Sequence, residues 1–198
     1  MRTNPERRQA LLDAAIDVLA DEGARGLTFR AVDKQAAVPA GTASNYFANR
    51  DELLTQAGVR FYEVVQPSEE TMALVSDGPK DIENITALMK EVVGRIESHR
   101  KAYLALLELR LEATRRPELR TVLTERVRAD IDFNVRNHLA SGLPGDAESV
   151  LLLYLALNWL IVEHLTLPGI FTEEQSMALI ETAVERVIRS SPGHLSRP

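Results

Sequence analysis

The chain has 198 residues, enough for one or two domains that each bury a core of their own. It contains no cysteine, which excludes disulfides, a thiolate zinc site and a cysteine nucleophile, and fits a reducing, cytoplasmic setting. Hydrophobic residues at 45% and charged ones at 26% describe a globular chain, while the formal net charge of −6 argues at first against a nucleic-acid partner.

The distribution of that charge weakens the objection. In residues 1–60 eight basic residues balance eight acidic ones, so the excess acid lies beyond them. The N-terminus, MRTNPERRQALLDAAIDVLADEG, has no uninterrupted apolar run of the kind a secretion leader carries. Asn4 and Pro5 suit a helix start, Leu12, Ala15, Ile16 and Leu19 keep helical spacing, and Gly23 is expected to stop the helix. Asp13, Asp17 and Asp21 recur on one face of it and read as a solvated outer surface rather than a metal site. A second helix is expected from Thr28 to about Ala36, a third from about Pro39 to Phe47, and a fourth from Asn49 toward Val65, opened by the capping box Asn-Arg-Asp-Glu. The segment SDGPKD at 76–81 reads as a turn. Further helices are expected at about 80–98, 101–115, 117–140, 146–167 and 172–190, the last with Thr172 and Gln175 as capping box, before a polar tail SSPGHLSRP. The sequence thus predicts an all-α protein of about nine helices. The most apolar stretch, Ser149 to Val162, is too short for a membrane span and suits a core or interface helix.

In AVPAGTASNYFANRDELL, residues 37–54, small side chains crowd the start of the third predicted helix. Two short helices around an Ala-Val-Pro turn, braced by a longer helix on each side, form a helix-turn-helix whose second helix enters a DNA major groove. Val38, Ala43 and Phe47 are expected to point inward, leaving Ala40, Gly41, Thr42, Ser44, Asn45 and Tyr46 outside. On this reading the missing bulk gives room for DNA and lets backbone amides reach phosphates.

The stretch LTFRAVDKQAAVPAGTASNYFANRDELL, residues 27–54, with LLDAAIDVLADEG before it, resembles the tetracycline-repressor (TetR) family of bacterial transcription regulators. The resemblance implies an N-terminal three-helix DNA-binding domain at 1–50, a linking helix at 49–65, and a larger effector-binding and dimerisation domain at 51–198. It also implies DNA contact by Thr28 and Arg30 at the backbone, Thr42 and Tyr46 at phosphate or groove edges and Arg50 on a phosphate, and the small-residue stretch adds Pro39, Ala40, Gly41 and Ser44 to the expected DNA-binding residues. Asn45 is the candidate for a base edge, because its amide matches the donor and acceptor of adenine. The chain departs from the family pattern at four places: Ala37 stands where a turn glycine is usual, Pro39 for a serine-like residue, Asp33 for a small residue and Ser44 for a tyrosine.

The remaining two thirds show no catalytic constellation, no Glu-x-x-His metal motif and no phosphate-cradling glycine loop, so neither enzyme activity nor a cofactor is expected. Polar residues inside apolar helices read singly as core or interface polarity, but together with the resemblance they mark Tyr103, Glu108, Tyr154, Asn158 and Trp159, with the neighbouring Leu107, as candidates for a pocket that binds a small, mainly apolar organic effector. The resemblance implies a homodimer through the last two helices, consistent with Met177, Ile180, Val184 and Val187 as a stripe that would otherwise be exposed. The resulting expectation is a repressor released from a palindromic operator by its effector, with no membrane partner. The competing reading is a helical small-molecule-binding or enzymatic bundle without specific DNA recognition.

Overall fold

The computed structural model describes residues 4–191, and the last seven residues of the predicted polar tail lie outside them. In chain order the helices are α1 (Pro5–Gly26), α2 (Phe29–Gln35), a 3₁₀ turn (Ala43–Asn45), α3 (Arg50–Val64), α4 (Glu69–Asp77), α5 (Ile82–Ser98), α6 (Arg100–Ala113), α7 (Pro117–Ser141), α8 (Ala147–Thr166) and α9 (Glu173–Arg189). The described residues contain no strand. Among the described residues nine α-helices match the expected number, but one expected helix is reduced to the 3₁₀ turn and α4 is additional. Helix α4 opens at Ser68-Glu69-Glu70: the Ser68 hydroxyl accepts the Thr71 amide at 3.1 Å, and two acids sit in its positive first turn.

Side-chain caps fix most helix starts. Asn4 accepts from the Arg7 amide (3.1 Å), Thr28 from Ala31 (3.1 Å), Asn49 from Glu52 (2.8 Å) and Asp146 from Ser149 (2.8 Å). The expected box at Thr172 and Gln175 is closed in both directions. At Asn49 the arrangement differs, because the Glu52 carboxylate takes the amide of Ala48 (2.7 Å), one residue before the cap. Gly23 breaks α1 at φ +70, as its place in the sequence suggests, although helical hydrogen bonding resumes through Gly26.

The chain divides into two compact units. Among the described residues the first holds 4–66 together with 99–127, the second 67–98 and 128–191. The expected boundary at residue 50 therefore falls inside the first unit, which also takes in α3, α6 and the start of α7. Its core joins Leu11, Leu19, Leu27, Val32, Phe47, Leu53 and Leu54 to Leu109 and Leu119, all essentially inaccessible to solvent. The second core gathers Ile85 and Leu88 of α5, Leu153 and Leu157 of α8, and Ile180, Val184 and Ile188 of α9.

That second core corrects the assignment of the α9 stripe. Ile180 and Val184 are buried at 3% and 0% exposure, with Met177 and Val187 packed beside them, so the stripe serves the fold of its own unit and is no exposed patch. A row of exposed apolar residues lies instead on α8, at Leu151, Leu152, Leu155 and Trp159. Helix α8 spans nearly the expected 146–167, but its apolar character runs beyond Ser149–Val162: at 20 residues it is long and apolar enough to cross a membrane by length and composition alone. Within unit 2 it behaves as a packed amphipathic element, burying Ser149, Leu153, Leu157, Ile161 and Leu165 at a spacing of four.

Candidate nucleic-acid interface and ligand groove

Between α2 and α3 the backbone twice enters the left-handed region, at Ala37 (φ +51) and at Gly41 (φ +87). A Cβ at Gly41 would meet nothing within 4 Å, so glycine is required there by the backbone angle and not by crowding. A residue at that angle cannot continue a right-handed helix, which is why the expected helix over 39–47 shortens to the turn Ala43–Asn45. Ala37, in place of the usual glycine, carries a left-handed conformation at a cost of about 1 kcal/mol.

Asp33 holds this turn together. Its side chain, 2% exposed, accepts the amides of Gly41 and Ala43, each at 2.7 Å. The Thr42 amide goes to the Pro39 carbonyl (3.1 Å) and that of Asn45 to Thr42 (2.9 Å). The expectation that backbone amides here reach out to phosphates is thereby corrected for these four donors, which are already used inside the protein. Ala43 and Phe47 are buried and Val38 packs against the same core, as expected.

The outer surface presents Thr28, Arg30, Pro39, Ala40, Gly41, Ser44 and Asn45 as exposed residues, with Thr42 half-buried. Thr28 caps α2, and the Ser44 hydroxyl donates to the Gly41 carbonyl (2.8 Å). Asn45 Nδ2 donates to the same carbonyl at 3.0 Å; an amide has two donor hydrogens and an acceptor oxygen, so one donor and the oxygen are left for a base edge. Tyr46 is half-buried against the core, and its carbonyl accepts from Arg8 Nη1 (2.8 Å). Arg8 is a residue the sequence reading missed: its guanidinium also stands 4.7 Å above the Phe47 ring and 3.5 Å from Glu52. Nothing local marks it, since its partners lie about forty residues away in sequence.

The acidic face of α1 is paired. Arg60 of α3 meets Asp13 at 2.8 Å, Gln35 donates to Asp17 at 2.9 Å, and Lys101 of α6 reaches Asp21 at 2.7 Å. Hydrogen bonding to Asp13, ahead of the opposing effect of burial, raises the Arg60 pKa, and bonding to Asp21 does the same for Lys101. No group of three metal-ligating side chains comes together among the described residues.

The six expected effector residues separate. Tyr103, Leu107 and Glu108 lie in unit 1, and Tyr154, Asn158 and Trp159 in unit 2. Tyr103 packs edge-on to Phe61 with ring centres 5.3 Å apart, and Glu108 Oε2 accepts the Ala24 amide at 2.9 Å beside the break at Gly23. Asn158 donates to the Tyr154 carbonyl (2.8 Å). Trp159 alone of the six lines a groove of about 330 Å³ in unit 2, with Met89, Leu157, Leu160, Phe171 and Ala183 among its walls. Glu163 is the single ionisable residue lining it.

Residues 11–57 match the family described as bacterial regulatory proteins, tetR family, and residues 80–190 match the tetracyclin repressor-like C-terminal domain. The chain belongs to the TetR family. TetR-family members are transcriptional regulators and not enzymes. Similar proteins include the nicotine-responsive transcriptional repressor HdnoR of Paenarthrobacter nicotinovorans, 28% identical over 57% of either chain. The transcriptional regulator BetI of Rhizobium meliloti is 27% identical over 70% of this chain and 65% of its own, so the matches span about three fifths of these two relatives. The crystal structure of the multidrug binding protein EbrR complexed with ethidium aligns with a TM-score of 0.67 and 28% identity, covering 91% of this chain and 99% of that one.

In this TetR-family chain Arg50 has an occupation that the family pattern did not suggest. Its Nε donates to the Leu27 carbonyl at 3.0 Å and its Nη2 to that of Ala24, so the guanidinium satisfies the carbonyls at the end of α1. Arg50→Ala is expected to lower stability by about 1.5 to 3 kcal/mol, the range for hydrogen bonds to a charged group. Urea unfolding measures this; an unchanged midpoint together with weakened duplex binding would return Arg50 to a purely DNA-facing role.

Proposed function

We propose that the chain is a cytoplasmic, dimeric repressor that binds a palindromic operator through the surface around Asn45 and leaves it when a small, mainly apolar organic molecule binds unit 2. The observation that carries the DNA reading is a fixed turn, held by buried Asp33, on which Thr28, Arg30, Pro39, Ala40, Gly41, Ser44 and Asn45 lie exposed together. Side chains, not turn amides, make the contacts: Arg30, Thr28 and Thr42 toward phosphates, Asn45 toward a base edge. The family model over 11–57 supports the same reading. Operator fragments selected from genomic DNA are expected to bind well above scrambled duplex, and Asn45→Ala is expected to cost about 1 to 3 kcal/mol at one base position only. Equal affinity of the unaltered protein for operator and scrambled sequence refutes the reading.

A two-fold dimer through the last two helices accounts for the α8 ridge. Leu151, Leu152, Leu155 and Trp159 are 40%, 48%, 64% and 65% exposed, a continuous apolar strip that a second copy can cover. Leu155→Glu places a charge in the strip without touching either core. It is expected to yield a folded monomer by sedimentation that has lost operator binding, and a sedimentation mass near 22.0 kDa for the unaltered chain counts against the dimer.

The groove beside the ridge supports the effector reading. Its walls are apolar and aromatic, and the lone carboxyl of Glu163 suits a neutral or cationic organic molecule over an anion. EbrR binds ethidium and HdnoR responds to nicotine, which agrees with an organic ligand of this kind here. A ligand weakens operator binding only by its difference in affinity between the two states, about 1 to 3 kcal/mol in typical cases. Ethidium as probe is expected to quench Trp159, the only tryptophan, and to lower operator affinity in parallel. Quenching without any change in DNA binding would make the groove a passive site.

A further inference from the structure

Asp33 stands where the family pattern has a small residue, and nothing in the fold of α2 requires an acid at that position. A buried carboxylate carries a large desolvation penalty unless it is fully hydrogen-bonded. Here two backbone amides, from Gly41 and Ala43, meet its two oxygens at 2.7 Å each, while the Asp33 carbonyl accepts the Val38 amide at 3.0 Å. One residue thus spans the whole connection between α2 and the 3₁₀ turn. The amides it engages therefore point inward, onto a buried acceptor, and are not presented to an approaching phosphate.

We propose that Asp33 is a positioning residue for sequence preference: its carboxylate is an internal substitute for a phosphate, fixing the turn before DNA arrives and withholding the turn's amides from the backbone of any duplex. Two effects follow. The turn that carries Ser44 and Asn45 is preset, so less order has to be gained on binding the correct site. A negative charge beneath the contact surface opposes sequence-independent attraction to phosphates, so binding to random DNA is selectively weakened. The proposal rests on the DNA-reading function above.

Two measurements test it. In the unaltered protein the Gly41 and Ala43 amides are expected to exchange slowly with solvent although Gly41 is exposed, and to exchange rapidly in Asp33→Asn and Asp33→Ala; fast exchange in the unaltered protein overturns the clamp. In duplex binding across a range of salt, the folded variants are expected to lose about tenfold of the ratio of operator to random affinity. Their random-duplex affinity is expected to stay within about threefold of the original or to rise, because a repelling charge has gone. A ratio that survives in both variants, or operator and random affinities that fall together, overturns the positioning role; the alanine variant keeps the test open if the asparagine variant fails to fold. Slow exchange at Gly41 and Ala43 in a protein that never distinguishes operator from random duplex would leave the clamp standing as structure and refute the DNA-reading function instead.

Discussion

The first unit depends on how α1 ends. Gly23 turns out of the helical region, and the short continuation leaves the Ala24 amide and the Leu27 carbonyl in need of partners beside a buried core, while the Ala24 carbonyl takes the Leu27 amide at 3.3 Å. Opposite charges from two distant helices supply them: Glu108 of α6 accepts the amide and Arg50 of α3 donates to both carbonyls. Three helices are pinned at one point, immediately before Thr28 starts α2. The direction in which α2 leaves, and with it the attitude of the turn that follows, is therefore set by an anion and a cation whose sequence neighbours give no hint of the task.

Much of this architecture can be read from residue order. Apolar spacing and caps such as Asn4, Asn49, Asp146 and Thr172 are local, and the helices they open begin within about a residue of expectation. Interactions at long range are what escape. Asp33 looked like a departure from a pattern because its partners eight and ten residues away are backbone amides, which no residue type announces. Arg50 and Glu108 looked like a phosphate contact and a pocket acid because side-chain charge is visible in sequence and an orphaned carbonyl is not. The role of the α9 stripe escapes for a related reason: helical periodicity reveals that a face is apolar, but not whether it meets its own chain or another.

Helix α8 shows the same ambiguity within one element. The row Leu153, Leu157, Ile161 and Leu165 is consumed by the core of unit 2, while Leu151, Leu155 and Trp159, also four apart, face away. An apolar residue on nearly every side gives weak helical asymmetry, which in sequence resembles a membrane segment and in the fold becomes two separate seams. The groove lies where the outer seam meets α9, so Trp159 belongs to both.

The first unit is discontinuous along the chain, and that discontinuity sets an order of events during synthesis. Leu106 and Leu109 of α6 fill the same core as Leu11, Leu12 and Leu19 of α1, yet residues 67–98 emerge from the ribosome before α6 does. Until about residue 113 is available, the face of α1 that α6 covers remains wet, and the Ala24 amide lacks Glu108. The shared core thus cannot close until a stretch of chain that passes first through the other unit has been made, and contacts of such wide sequence separation are slow to close. A nascent chain arrested before α6 would carry the sequence motif without the scaffold that orients it.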